Sequence, residues 1–215
     1  MLTRGCGHAA LVVLSVLCLG LLEPPAVGAG EPTDQLRAQV ERVIRTAQDP
    51  DVKKSGRVAE RRAVRKIAEQ IFDYAETAKR ALARHWTPRS PGEREEFVAL
   101  FADLFEHAYI SKIELYQGER ITFLAETIEG DQATVQTQMQ LRQGSELDVD
   151  YRMRRDAAGR WLVYDVVIES VSLIDNYRSQ FNSIIQRSSY QELVRRLKAL
   201  QLKLQSEGSP RPDRS

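Results

Sequence analysis

Near Gly118 the hydrophobic period of this chain changes from about 3.6 residues to about 2, and it becomes helical again after Ile168. Helical segments on both sides of an unbroken run of strands predict an α+β architecture, with the helices segregated from a four-stranded antiparallel meander. Ile121 to Ile128 reads as the first strand, Glu129-Gly130-Asp131-Gln132 as a hairpin turn, and Ala133 to Leu141 as the second strand. In that strand Val135, Thr137, Met139 and Leu141 alternate with Thr134, Gln136, Gln138 and Gln140. In the third, Leu147, Val149, Tyr151 and Met153 alternate with Glu146, Asp148, Asp150 and Arg152. Such alternation describes a sheet covered on one face. Trp161 to Ile168 is apolar on both faces except at Asp165, as an inner strand covered on both sides would be. Helices over a curved sheet enclose either a solid core or a cone-shaped pocket, and the pattern leaves both open.

The helical segments carry their own punctuation. Thr33 can cap a helix with the stripe Leu36, Val40, Val43 and Ala47. Gln48 to Gly56 reads as a loop. The next stripe, Val64, Ile67, Ile71, Ala75, Ala78 and Leu82, has a candidate break at Phe72-Asp73. Ser90 is a cap with Pro91 in the first helical position, opening a segment whose Phe97, Phe101, Leu104, Phe105 and Ala108 form the strongest amphipathic signal. Two further helices carry Leu173, Tyr177, Phe181 and Ile184, then Tyr190, Leu193, Leu197, Leu200 and Leu204.

A length of 215 residues suits one domain. A net charge of +1 makes no global electrostatic case for nucleic acid. At the N-terminus, Arg4 precedes an apolar run from Ala9 to Leu22 and the small residues Ala26-Val27-Gly28-Ala29-Gly30. This is the layout of a cleaved secretory signal, assigned to residues 1–28, and the run is short for a retained membrane anchor. Both cysteines, Cys6 and Cys18, fall inside it, so the mature chain has no thiol for a disulfide or a metal. Val16-Leu17 before Cys18 lacks the small residues of a lipid-attachment site. The expectation is an exported protein with one domain over 31–204 and a polar, frayed tail over 205–215.

Candidate chemistry is sparse. His85 and His107 lie far apart, and no cysteine or HExxH spacing supports zinc. Asp165, among Val163, Tyr164, Val166 and Val167, has two readings. It could be a general base with a raised pKa, paired with a Tyr164 or Tyr177 donor in an isomerase. Alternatively it accepts hydrogen bonds from backbone or Arg178 and fixes the strand-to-helix junction. Lys53, Lys54, Arg57, Arg61, Arg62, Arg65 and Lys66, against the single acid Glu60, form a basic patch that suits an acidic partner, anionic headgroups or plain solvent.

Three segments occur in order: Tyr116-Gln117-Gly118-Glu119, then Gly159-Arg160-Trp161-Leu162-Val163-Tyr164-Asp165-Val166, then Val171-Ser172-Leu173-Ile174-Asp175-Asn176-Tyr177-Arg178-Ser179-Gln180-Phe181. With Ala81 to Trp86 and Glu96 to Phe101 upstream, the chain resembles the MlaC family, periplasmic phospholipid-binding proteins also called toluene-tolerance auxiliary proteins. The resemblance spans Leu36 to Leu204. Two departures are Ala83 and Ser170, where the family commonly has glycine.

The resemblance implies a helix-covered curved sheet of the cystatin-like and nuclear-transport-factor-like group, with an apolar pocket. It also implies a carrier without catalytic residues or a cofactor, its cargo a glycerophospholipid. The implied partners are an outer-membrane lipoprotein complex and an inner-membrane ABC transporter with its membrane-anchored substrate-binding subunit, and the implied task is to maintain outer-membrane lipid asymmetry. Two acyl chains expose about 30 methylenes at about 0.8 kcal/mol each, so crossing water unaided costs on the order of 20 kcal/mol. A carrier must therefore hide the tails. Candidate lining residues are Val135, Met139, Leu147, Val149 and Tyr151 from the middle strands, Val163 and Val167 from the last, and Tyr109, Leu173 and Phe181 from helices. By spacing alone each is core or lining; the resemblance assigns them to the lining. The competing expectations are an exported interaction module with a solid core and the isomerase built on Asp165.

Overall fold

A computed structural model describes residues 31–113 and 119–208, without the side chains of residues 57, 58, 60, 61, 109–113 and 204–208. The proposed export segment and the last seven residues of the tail lie outside the described residues. The helices are α1 (Glu31–Gln48), α2 (Pro50–Lys54), α3 (Arg57–Ile71), α4 (Tyr74–Leu82), α5 (Pro91–Ile113), α6 (Leu173–Arg187) and α7 (Tyr190–Gly208). The strands are β1 (Arg120–Glu129), β2 (Gln132–Gln140), β3 (Glu146–Arg155), β4 (Trp161–Ile168) and β5 (Val171–Ser172). They form one antiparallel sheet in the order β1-β2-β3-β4-β5.

Local chemistry accounts for most helix ends. Asp73 interrupts the second helical stripe as predicted. Its carboxylate accepts the Glu76 N–H at 2.9 Å, capping α4, while its own N–H is donated to the Val163 carbonyl at 2.8 Å. Arg154 reaches the same carboxylate at 2.6 Å, so the α3–α4 break is tied to both inner strands. Ser90 and Glu93 cap α5 reciprocally, Ser90 N–H donating to Glu93 Oε2 at 2.8 Å and Glu93 N–H to Ser90 Oγ at 3.3 Å. Three details differ from expectation. Thr33 lies inside α1, its N–H donated to Glu126 on β1 at 2.7 Å. The presumed loop after Gln48 holds α2, one turn capped by Asp49 and too short to show an apolar period. α7 runs on to Gly208, past the Gln205 boundary set for the tail.

The fifth strand went unforeseen because its turn lacks the usual residues. Ile168 pairs with Val171, leaving Glu169 and Ser170 as a two-residue hairpin loop, and both have positive φ, 48° and 65°. Such loops are normally Asn-Gly, because only residues tolerant of the left-handed region sit there without strain. Ala83, in the single turn of 3-10 helix after α4, has φ 47° and ψ −121°. The two family departures from glycine are thus two of the three non-glycine residues with positive φ among those described. Ala83→Gly and Ser170→Gly are each expected to stabilise the fold by about 1 kcal/mol, the relief of the strain outweighing the flexibility glycine adds to the unfolded chain. Urea-unfolding midpoints check this.

Two cores result. One lies between the sheet and α1, α3 and the end of α5, and includes Leu36, Val64, Phe105, Met153, Trp161 and Val163. The other lies among α4, α5, α6 and α7, around Leu82, Phe97, Phe101, Phe181 and Leu193. α5 serves both, so its apolar residues are not confined to one stripe. Phe97, Leu100, Phe101, Ala102 and Phe105 are all buried, which corrects the reading of α5 as simply amphipathic. Phe101 joins the two cores, with ring centroids 5.8 Å from Phe97, 6.3 Å from Phe105 and 5.1 Å from Tyr177.

Candidate functional site

The core under the sheet is solid at one end and hollow at the other. Ala133, Val135, Met153, Trp161 and Val163 fill the solid end. At the other end a partly open cavity of about 430 Å³ remains, within the roughly 300–1,000 Å³ usual for ligand pockets. Leu36, Val40, Val43 and Ile44 of α1 line it, with Ala68 and Ile71 of α3 and the aromatic group Phe72, Tyr74 and Phe105. From the sheet come Ile121, Met139, Leu147, Val149, Tyr151, Val166 and Ile168, and from neighbouring segments Leu141 and Leu173. Glu106 and Glu119 are the charged groups among these lining residues.

Of the residues singled out in the sequence, the structure brings Met139, Leu147, Val149, Tyr151 and Leu173 together around the cavity. Val135 and Val163, fully buried, point toward the helices at the solid end. Phe181 packs in the helical core against Phe97, Phe101 and Tyr177, because α6 turns away from the sheet after its first turn. The Tyr109 side chain lies outside the described residues. Val167 does not reach the cavity, and the cause is a β-bulge. Arg152 pairs with Asp165 but Met153 with Val163, so Tyr164 is an extra residue. One inserted residue exchanges the faces of everything beyond it. Trp161 and Val163 therefore face the helices with Met153, but past the bulge it is Val166 and Ile168 that share a face with Tyr151 and Val149. An unbroken period of 2 gives Val163, Asp165 and Val167 one face and cannot show the switch.

The same switch takes Asp165 away from the cavity. Its carboxylate accepts hydrogen bonds from Arg152 at 3.2 Å, Ser172 Oγ at 2.7 Å and the Ile174 N–H at 3.2 Å. It ties β4 to the start of α6, where Ser172 Oγ also caps the helix at Asp175 N. Arg178, the partner suggested by sequence, pairs with Asp175 instead. Neither histidine heads a ligand set: His85 Nε2 lies 3.0 Å from Asn182 Oδ1, and no cluster of three or more potential metal ligands occurs among the described residues. The basic patch is partly consumed. Lys54 pairs with Asp51, and Arg65 turns to Glu106, Asp103 and Glu69 at 2.9, 3.0 and 3.4 Å. Lys53, Arg62 and Lys66 remain exposed, and the Arg57 and Arg61 side chains lie outside the described residues.

Glu106 is the unforeseen member of the site, since a carboxylate beside Phe105 reads as the solvent face of a helix. Burial pushes its carboxyl up to about 7, against the pull of Arg65 and Tyr74, and Asp103 and Glu69 push the same way as burial. Burial, then Glu106, drives the Tyr74 hydroxyl well above its ordinary range, and burial alone takes Tyr151 up to about 12. Folding therefore favours neutral Glu106. That contribution is complete below about 4.5 and lost as pH climbs through about 7. Melting temperature is expected to fall between pH 5.5 and 8 more steeply in the native protein than in Glu106→Gln, which cannot ionise. Parallel slopes in thermal melts would refute this.

No helix among the described residues is long and apolar enough to cross a membrane. A curved antiparallel sheet roofed by helices around a hollow, apolar-walled core defines a class of protein built to enclose a nonpolar molecule. The chain belongs to the MlaC family: the family model described as MlaC protein matches residues 37–199. Among solved structures, its fold is similar to that of a phospholipid-binding protein from Ralstonia solanacearum, determined in complex with a phospholipid. That similarity has a TM-score of 0.72 at 22% identity and covers 81% of this chain and 99% of the other.

Proposed function

We propose that this protein is a soluble carrier of glycerophospholipid that works in the periplasm once residues 1–28 are removed. It would take its cargo between an outer-membrane lipoprotein complex and an inner-membrane ABC transporter with a membrane-anchored substrate-binding subunit, so maintaining outer-membrane lipid asymmetry. The observation that carries the reading is the cavity. Without an occupant, the apolar walls around this space of about 430 Å³ stay wet and forgo about 25 cal/mol for each Å² of apolar surface that burial would gain. A chain keeps such a space when something fills it. Family membership and the lipid in the similar Ralstonia structure support a phospholipid as that filling.

The walls suit acyl chains. α1 and α3 on one side and β2, β3 and β4 on the other present aliphatic and aromatic carbon, and the partly open form lets a headgroup stay in water. Binding gains the transfer energy of the tails and asks for no bond-making step, so the reading is of a transport protein and not an enzyme. Native mass spectrometry of the mature protein, purified from periplasm without detergent and then solvent-extracted, tests it. The expected result is a mass excess of one phospholipid, with that lipid in the extract. A bare mass that persists after incubation with liposomes would refute carriage and return attention to docking through the Lys53, Arg62 and Lys66 surface.

A further inference from the structure

β1 forms one edge of the sheet. It pairs with β2 on one side, and among the described residues no strand pairs with its other side. The strand runs for 10 residues, Arg120–Glu129, about twice the usual length, and holds neither the proline nor the lysine that commonly blunts an edge. Two large apolar residues on it are exposed, Leu124 at 51% and Ile128 at 48%. Its end residues, Arg120 and Glu129, are exposed and carry opposite charges, and neither enters an ion pair or a side-chain hydrogen bond among the described residues.

We propose that β1 is a self-association edge, on which a second copy of this chain lays its own β1 antiparallel, so that the two sheets continue into one. Overlap along the full strand sets Arg120 opposite Glu129 of the second copy, Ile121 opposite Ile128, Thr122 opposite Thr127 and Phe123 opposite Glu126, each pair occurring twice about the two-fold axis. Opposite charges meet at both ends, apolar meets apolar and hydroxyl meets hydroxyl, the pairs that stabilise neighbouring antiparallel strands. The Phe123 ring lies under the Arg37 guanidinium at 4.3 Å, so the pair with Glu126 has a cation beside it too. The β-bulge at Leu124 is what makes this register possible. Residues opposite each other in an antiparallel pair share a face, and in an unbroken strand the first and tenth residues lie on different faces. The register shift between Phe123 and Ala125 removes that conflict. Arg120 and Glu129 both share the outer face with their β2 partners Gln140 and Gln132, and Ile121 and Ile128 both share the inner face with Met139 and Ala133. A straight strand from another protein meets the bulge as an irregularity, whereas a second copy brings the same bulge to the two-fold axis.

Sedimentation velocity of the mature protein from about 1 to about 200 µM tests this and is expected to show monomer giving way to dimer as concentration rises. Arg120→Glu and Glu129→Arg each set like charges opposite one another at both ends, and each is expected to weaken the dimer about tenfold. The double variant R120E/E129R restores opposite charges and is expected to dimerise within about threefold of the native protein. Mixing the two single variants is expected to recover dimer as well, because in the mixed pair every glutamate faces an arginine. Neither residue lines the cavity, so unchanged lipid content confirms that the variants are folded and keeps the carrier reading separate. A native protein that stays monomeric at the highest concentration overturns the proposal and leaves the edge to a strand of another protein. Single reversals that dimerise as tightly as the native chain, or a mixture of the two that does no better than either alone, overturn it equally.

Discussion

Val149→Glu is expected to emerge from purification folded but without its cargo. Val149 is 5% exposed, sits in the middle of β3 between Thr137 and Ile168 in register, and forms part of the cavity wall. A carboxylate there has no cation opposite it. Covering it with an acyl chain would either bury an unpaired charge or force protonation, at a cost of several kcal/mol. The partly open cavity lets water reach the new group when no lipid is present, so the penalty falls on the loaded state more than on the fold. The measurement is moles of extracted phospholipid per mole of protein, beside circular dichroism. Val149→Ala, which changes volume without charge, should keep full occupancy. Val167→Glu, on the other face of β4 beyond the Tyr164 bulge, should cost stability yet leave the folded fraction loaded. Normal occupancy in folded Val149→Glu would show that lipid sits elsewhere.

Phe101→Ala should produce the largest loss of stability. Its ring is fully buried, packs against Phe97, Phe105, Tyr177 and Phe181, and joins the core under the sheet to the helical core. Truncating a buried phenylalanine costs about 3–5 kcal/mol, from lost transfer energy plus the cavity left behind. Phe101 has neighbours on two sides, each held by its own helix, so collapse into the void is limited and the upper half of that range is expected. In a domain of this size that lowers the melting temperature by roughly 10 °C or more. A drop of only two or three degrees would mean that the two cores are not mechanically coupled through α5.

Much of this architecture was legible in the chain, because alternation and helical stripes are records of which face is buried. The strands over 121–168 fell within a residue or so of their observed limits, and the Asp73 break and the Ser90 cap followed from local hydrogen-bonding chemistry. Five of the ten lining candidates were legible too: Met139, Leu147, Val149 and Tyr151 follow from one unbroken period of 2, and Leu173 from its place in the motif. The rest depended on events that leave no periodic trace. The Tyr164 bulge adds one residue to β4 without a glycine or proline to mark it, and so exchanges Val167 for Val166 and Ile168. Glu169-Ser170 makes a tight turn with residues that do not announce one. The α1 stripe was visible as Leu36, Val40 and Val43, but nothing in the chain says that this stripe faces a void and not a packed sheet.

The chain alone was enough to give the order of the longer helices and the first four strands, the one covered face of β2 and β3, the break at Asp73 and the cap at Ser90, since each depends on residues within a few positions of one another. The three-dimensional packing was needed to show where the core is hollow, that Glu106 and Tyr74 meet in its wall, and that Asp165 is engaged away from it. Those outcomes depend on how far apart the helices hold themselves from the sheet and on which side chains from distant segments converge. Distances of that kind are set by the packing of the whole molecule and not by any local pattern of residues.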